Sequence, residues 1–229
     1  LFFPFSSPPV QYLLYSYTTK CGKKKKHLSR QLSCGIIKIN YEKARTGNRR
    51  QERIIGLRTR ILGIDPGYAI VGCGVVEYDG SRFVTLDYGA ITTEAGTEFT
   101  GRLAAIYDGV CELLEMYHPQ AMAIEKLYFN TNQKTAIDVA QARGVILLAA
   151  RKFDVPAYEY TPLQVKQSVV GYGRAVKQQV IEMTTRILNL KKAPKPDDVA
   201  DALAIAICHA HSACSQMGGA LREIAQGRL

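Results

Sequence analysis

Four carboxylates that lie far apart in the sequence are the side chains best suited to carry out chemistry. Asp65 ends the apolar stretch ILGID before a Pro-Gly turn, and Glu125 ends a second apolar stretch, AMAIE. Asp198 and Asp201 are three residues apart, so they lie on one face of a predicted helix. Removing a carboxylate from water is unfavourable unless a cation or hydrogen-bond donors compensate. The acids therefore either hold a metal ion together or are satisfied separately, Asp65 in an Asx-type turn and Asp198 by its helix dipole.

The chemistry that such a set supports is metal-dependent hydrolysis. No serine, cysteine or histidine of the sequence is placed as convincingly to act as a nucleophile. Hard oxygen donors suit Mg²⁺ or Mn²⁺ rather than zinc. Two such ions roughly 3.5 to 4 Å apart activate water and stabilise the leaving oxygen when a phosphodiester bond is hydrolysed.

The apolar pattern predicts an α/β fold. Period-2 and short apolar runs predict five strands, at residues 61–64, 70–78, 83–92, 121–125 and 157–160. Helical spacing predicts five helices, at residues 99–118, 134–151 and 162–170 and beginning near 174 and 197. Three consecutive strands followed by alternating helices and strands are typical of a ribonuclease H-like fold, a mixed five-stranded sheet flanked by helices. If the first and fourth strands are parallel neighbours, Asp65 and Glu125 share one edge of the sheet.

The positive charge is concentrated at the start of the chain. The net charge is +10, but residues 1–60 alone contain 14 lysines and arginines against two acids. We therefore predict that residues 1–58 form a basic extension without regular structure, foreign to the domain at 59–215, and that 216–229 form a flexible tail. A basic arm that binds nucleic acid is the functional alternative for the extension.

Cysteine spacing and hydropathy bear on the compartment. The six cysteines show no paired CxxC spacing, which favours a reducing compartment and a cytoplasmic protein. No run approaches the roughly 20 apolar residues that a membrane span needs, so no membrane partner is expected.

A glycine-rich loop at 171–173 is a second candidate site. Arg174 and Lys177 follow the loop at the predicted start of a helix. A flexible loop, a helix N-terminus and cations together suit a phosphate group. An ordinary solvated start of a helix accounts for the same residues.

Five ordered motifs resemble one family. The segments ILGIDPG, AIEKLYFN, AQARGV, QVKQSVVGYG and PDDVADALAIAICHAH occur in this order between residue 61 and about residue 212. Together they resemble the bacterial crossover junction endodeoxyribonucleases of the RuvC family. A single DxG motif after a strand would be weak, because actin-like ATPases also use one, but five motifs in order are specific.

The resemblance implies roles for particular residues. It implies a catalytic site with two Mg²⁺ or Mn²⁺ ions, held by four acids: Asp65, Glu125, Asp198 and Asp201. Tyr128 stands where the family has an aromatic side chain that stacks on an unpaired base, and Tyr keeps the aromatic face. Lys166 and Lys177 match cations that contact the DNA backbone near the scissile phosphate. Asp197 is left as a cap of its helix, and Arg143 as a structural residue or a dimer contact.

The implied activity is resolution of four-way (Holliday) DNA junctions in recombination and repair. The resemblance implies a homodimer that makes two symmetric, metal-dependent incisions leaving 5′-phosphates, with the branch-migration proteins RuvA and RuvB as partners. A two-fold dimer suits a two-fold junction. Two alternatives stay open at this point: a ribonuclease H-like nuclease that acts on RNA, and a noncatalytic junction-binding protein.

Overall fold

One mixed sheet with helices on both faces forms the protein. The computed structural model describes residues 38–41, 58–127 and 133–225, with side-chain surroundings for 58–127 and 136–213. The strands are β1 (Lys38–Tyr41), β2 (Thr59–Asp65), β3 (Ile70–Tyr78), β4 (Phe83–Thr92), β5 (Ala121–Glu125) and β6 (Ala157–Tyr160). The helices are α1 (Phe99–Tyr117), α2 (Gln133–Lys152), α3 (Pro162–Val170), α4 (Lys177–Ile187) and α5 (Asp197–Ala225).

The strand order of the sheet is β1-β4-β3-β2-β5-β6. β2, β3 and β4 form an antiparallel meander, while β2, β5 and β6 run parallel to one another. The five predicted strands and the mixed sheet of a ribonuclease H-like fold are confirmed. The strands that end in Asp65 and Glu125 are parallel neighbours, which meets the condition for the two acids to share one edge of the sheet.

The structure differs from the sequence-based expectation at both ends of the chain. β1 lies within the predicted extension and pairs antiparallel with β4, with Lys38 opposite Thr92. Its isoleucine and tyrosine favour a strand, and the edge of β4 offers unpaired backbone groups. The remaining residues of the extension, 1–37 and 42–57, lie outside the described residues. At the other end α5 continues to Ala225 and includes residues predicted to form a flexible tail.

The sheet separates two hydrophobic cores. Along β2, Ile61 belongs to the core beneath α3, α4 and α5, whereas Leu62 and Ile64 belong to the core beneath α1 and α2. Side chains of a strand alternate between its faces. Asp65, which follows Ile64, therefore lies on the α5 side of the sheet, and the same alternation along β5 places Glu125 there.

Glycines in β2 and β3 allow α5 to lie directly on the sheet. A Cβ atom added at Gly63 would stand 2.1 Å from the carbonyl oxygen of Ala202, and one added at Gly72 would stand 2.0 Å from that of Asp198. Any side chain at either position would push the helix away. The close approach brings the N-terminal turn of α5 next to the end of β2.

Two helices differ in detail from the predictions. α4 begins at Lys177, so Arg174 lies in the loop before it. α2 packs Ala142 and Ile146 against the sheet, but Ile137 and Leu148 are 58% and 50% exposed. α2 is therefore buried on one face and exposed on the other. Within the ranges that the structure describes, no helix is long and apolar enough to cross a membrane.

Candidate active site

The parallel pairing of β2 and β5 brings two acids together. The register places Ile64 opposite Ile124, so Asp65 and Glu125 are the next residues along two adjacent strands. Their carboxyl groups are hydrogen-bonded to each other. Two carboxyl groups form such a bond only when one of them carries a proton. The pair thus shares a proton at the carboxyl edge of the sheet.

Burial and like charge explain why this pair holds a proton. Burial is the largest effect on Asp65, and the negative charges of Glu125, Asp201 and Asp198 add to it, raising the pKa of Asp65 to about 8. Burial also raises the pKa of Glu125. At neutral pH the pair therefore has less negative charge than two free carboxylates would.

The acids on α5 lie beside the strand pair and next to a lysine. Lys177 Nζ is 3.0 Å from Asp201 Oδ2 and 3.7 Å from Asp197 Oδ2. Burial raises the pKa of Asp201, although its bond to Lys177 acts in the opposite direction. Burial lowers the pKa of Lys177, but the hydrogen bond to Asp201 and the nearby aspartates outweigh that effect, so the pKa is raised overall. Lys177 therefore stays charged and neutralises part of the helical acids.

The donor set fits a hard divalent cation. It consists of carboxylates on three elements facing one another, and the negative charges of Asp198 and Asp201 act on Asp65 across the site. Among the described residues, no group of three or more Cys, His, Asp or Glu side chains is arranged to hold a metal ion. The shared proton and Lys177 provide the compensating positive charge in this arrangement. Loss of the proton and rotation of the Asp201 carboxylate away from Lys177 would free the oxygens for a metal.

A cluster that the sequence analysis missed fixes the turn after Asp65. The Arg102 guanidinium lies over the Tyr68 ring, 3.6 Å from its centroid, and donates a hydrogen bond to Thr93 Oγ1 at 2.7 Å. Thr93 Oγ1 in turn donates to the Tyr68 carbonyl oxygen at 3.0 Å. Arg102 is only 8% exposed, so these contacts compensate a buried charge. The cluster holds the chain in place three residues beyond Asp65.

The three predicted DNA-contacting residues differ in where they lie relative to the acids. Lys166 is a half-buried residue of α3. α3 begins directly after β6 with a capping box formed by Thr161 and Gln164. Lys177 begins α4 and contacts the acids, a contact that the sequence alone did not reveal. Tyr128 lies outside the described residues.

The strand order and the acids at one sheet edge are those of the ribonuclease H-like class of folds. The model of the family described as crossover junction endodeoxyribonuclease RuvC matches residues 61–209, which include all four acids. The chain belongs to the RuvC family, whose members are endonucleases acting on DNA. Nucleases of this kind depend on a divalent metal ion.

Curated relatives and solved structures agree with this assignment. The RuvC of Clostridioides difficile is 60% identical over 152 residues, which cover 66% of this chain and 90% of that protein. The RuvC of Brevibacillus brevis is 60% identical over 151 residues, or 66% of this chain and 91% of that protein. The structure of Thermus thermophilus RuvC in complex with Holliday junction substrate is similar with a TM-score of 0.67 and 38% identity, covering 69% of this chain and 96% of that one.

Proposed function

We propose that this protein cleaves four-way DNA junctions by metal-dependent phosphodiester hydrolysis, as a junction resolvase of recombination and DNA repair. Relatives that share most of their length with the chain are named crossover junction endodeoxyribonucleases, and the Thermus thermophilus relative binds a Holliday junction. The family match favours this activity over the RNA-acting alternative. The four acids favour it over a noncatalytic junction-binding protein.

Two Mg²⁺ or Mn²⁺ ions would be held in the proposed site by Asp65, Glu125, Asp198 and Asp201. When bound, the ions would activate water and stabilise the leaving oxygen of the phosphodiester. Asp65 and Glu125 would give up the proton that they share. Lys177 would then be free to turn from the acids towards the phosphate that is cleaved.

The remaining contacts of the proposal concern DNA and protein partners. Lys166 and Lys177 would bind phosphates near the cleaved bond, and Tyr128 would stack on an unpaired base. A homodimer would place one site on each of two symmetry-related strands. RuvA and RuvB would deliver the junction, and the activity would take place in the cytoplasm.

The observation that carries the proposal is the placement of Asp65 and Glu125 at the ends of two paired parallel strands beside the helical acids, in a chain of this family. The test is cleavage of a synthetic four-way junction in Mg²⁺, compared with a linear duplex of the same sequence. We expect paired symmetric nicks in the junction alone. Asp65→Asn should reduce the rate at least about a thousandfold, since it removes several kcal/mol of metal-dependent stabilisation.

Asp197→Asn is the matched control. Asp197 is on the same helix turn as Asp198, but its side chain is 57% exposed. We expect this variant to cleave within about threefold of the wild type, because an exposed charge pair contributes little. Junction binding should persist in both variants. Binding without cleavage by the wild type, or full activity of Asp65→Asn, would contradict the proposal.

A further inference from the structure

Three exposed apolar side chains lie together where α3 meets α4. Leu163 is 55% exposed, Tyr172 is 46% exposed and Val176 is 61% exposed. Leu163 packs over the loop that contains Tyr172, because a Cβ atom at Gly173 would stand 2.1 Å from Leu163 Cδ1. We call these three residues the α3–α4 surface. Single exposed apolar residues are common on protein surfaces. A cluster of them, from the starts of two helices and the loop that connects these helices, is less common.

The α3–α4 surface lies at the same edge of the sheet as the acids. α3 begins two residues after β6, and the Lys126 backbone N–H, next to Glu125, donates to the Tyr160 carbonyl oxygen at the end of β6. On the other side, Val176 directly precedes Lys177, whose Nζ is 3.0 Å from Asp201. The surface therefore adjoins the metal site through both helices.

The aromatic ring of this surface is held in place before any ligand binds. The Tyr172 hydroxyl donates to Gln179 Oε1 at 2.9 Å, and the same oxygen accepts from the Val176 backbone N–H at 3.0 Å. Gly171 ends α3 with a φ of 94°, a left-handed conformation that favours glycine. Because its hydroxyl group is bonded and its loop begins at a fixed turn, the Tyr172 ring loses little conformational freedom on binding.

The charges around the α3–α4 surface indicate the kind of ligand. Three cations belong to the same segments: Lys166 lies three residues after Leu163 on α3, Arg174 lies in the loop and Lys177 follows Val176. Apolar and aromatic groups interspersed with cations match a nucleic-acid strand, whose phosphates bind cations and whose bases and sugars bind apolar groups. A strand whose phosphate is at the acids would pass over this surface.

We propose that the α3–α4 surface binds a base and its deoxyribose in the DNA strand that enters the metal site, with Tyr172 against the base. This inference rests on the proposed function, since it takes the junction as substrate. The contact is apolar and therefore separate from the phosphate contacts of Lys166 and Lys177. It would position the strand rather than take part in bond cleavage.

The salt dependence of junction binding separates an apolar contact from a phosphate contact. We would measure the Kd for a fluorescent four-way junction in EDTA, which prevents cleavage, at several salt concentrations. Tyr172→Ala should weaken binding about tenfold, the loss expected for one stacked base, without changing the slope of log Kd against log salt. Lys166→Gln should reduce that slope by about one. Tyr172→Phe keeps the ring and should bind within about threefold of the wild type.

A fluorescent base reports the contact directly. 2-Aminopurine would be placed next to the scissile phosphate, first on one side and then on the other. At one of the two positions, its fluorescence should be quenched by the wild type and by Tyr172→Phe but not by Tyr172→Ala. Matching circular dichroism spectra and melting temperatures would show that the variants are folded.

The outcomes separate this inference from the proposed function. A wild type that fails to bind the junction would overturn both. A wild type that binds and cleaves, with Tyr172→Ala unchanged in affinity and quenching, would overturn only the inference. A change of oligomeric state in Tyr172→Ala, measured by light scattering, would assign the surface to a second copy of the chain and also overturn it.

Discussion

The acids at the strand ends and the acids on α5 face the same site but are compensated in different ways. Asp65 and Glu125 follow fully buried strand residues and share a proton, and the pKa of Asp65 is raised to about 8. Asp201, with its side chain 28% exposed, is bonded instead to the charged Lys177. Lys177 also acts on Glu125 through its charge, but it is bonded directly to Asp201, so the helical pair has the closer cation.

This difference shows that the two halves of the site respond to different perturbations. The strand pair depends mainly on proton concentration, because burial and like charge raise the pKa of both of its carboxyl groups. The helical pair depends on Lys177 and on how closely α5 lies on the sheet.

Among changes that keep all four acids, the largest effect should come from separating the two halves. Gly72→Ala places a Cβ atom against the Asp198 carbonyl oxygen, 2.0 Å away before relaxation, so the start of α5 must move away from β2 and β3. A displacement of about 1 Å at a catalytic site costs roughly a hundredfold in rate. Overpacking should also lower the free energy of unfolding by about 1 to 3 kcal/mol, measured in urea.

Gly101→Ala is the matched control for this substitution. A Cβ atom at Gly101 would be 3.4 Å from Thr97 Cγ2, an ordinary contact on α1. The variant should keep the wild-type rate and gain up to about 1 kcal/mol in stability from helix propensity. Equal cleavage rates for Gly72→Ala and Gly101→Ala would show that α5 does not position its acids through this close approach.

A smaller effect should come from removing the internal cation. Lys177→Gln leaves Asp201 and Asp197 without their charged partner, so the pKa of Asp201 should rise further. We expect about a tenfold loss of cleavage rate, measured at saturating Mg²⁺ and pH 7.5, from the loss of one charged contact. Lys192→Gln, an exposed lysine in the loop before α5, should behave like the wild type. Equal cleavage rates for the two lysine variants would show that Lys177 does not contribute to cleavage.

The smallest effect should be the pH dependence of the strand pair. Because folding raises the pKa of Asp65 to about 8, the folded protein binds a proton that the unfolded chain releases above about pH 4. Without metal, stability should therefore fall as the pH rises towards 8. Mg²⁺ replaces that proton, so it should raise the melting temperature more at pH 8.5 than at pH 6. Each kcal/mol of difference in stabilisation corresponds to about 2 to 4 °C in melting temperature.

Asp65→Asn provides the control for the pH measurement. The amide does not titrate, so the difference between the two pH values should largely disappear. A melting temperature that responds equally to Mg²⁺ at both pH values in the wild type would contradict the shared proton. The same experiment with Lys177→Gln should keep the pH dependence, since burial, which does not involve that lysine, is the largest effect on both Asp65 and Glu125.

Local sequence patterns were sufficient for the strands and for the strand-end acids. The strands at 70–78, 83–92, 121–125 and 157–160 were predicted with the bounds observed, because apolar runs flanked by turn residues mark them. The placement of Asp65 beside Glu125 followed from the predicted parallel pairing. The acid pair on α5 followed from helical spacing alone.

The missed features all depend on partners distant in sequence. Lys177 was predicted to contact DNA, but its position against Asp201 depends on how α4 packs on α5. Arg102 appeared as an ordinary residue of α1, because Tyr68 and Thr93 meet it only in the folded chain. β1 was missed because a four-residue strand depends on β4 for its pairing.

The parallel register of β2 and β5 also limits how the chain can change in length. Neighbouring strands are about 4.8 Å apart, and the hydrogen bonds between Ile61–Ile64 and Ala121–Ile124 fix which residues face each other. Deleting one residue from either strand would turn its terminal acid to the opposite face of the sheet, into the apolar core under α1 and α2. Insertions and deletions can therefore accumulate in the loops around this site, while both strands must keep their number of residues.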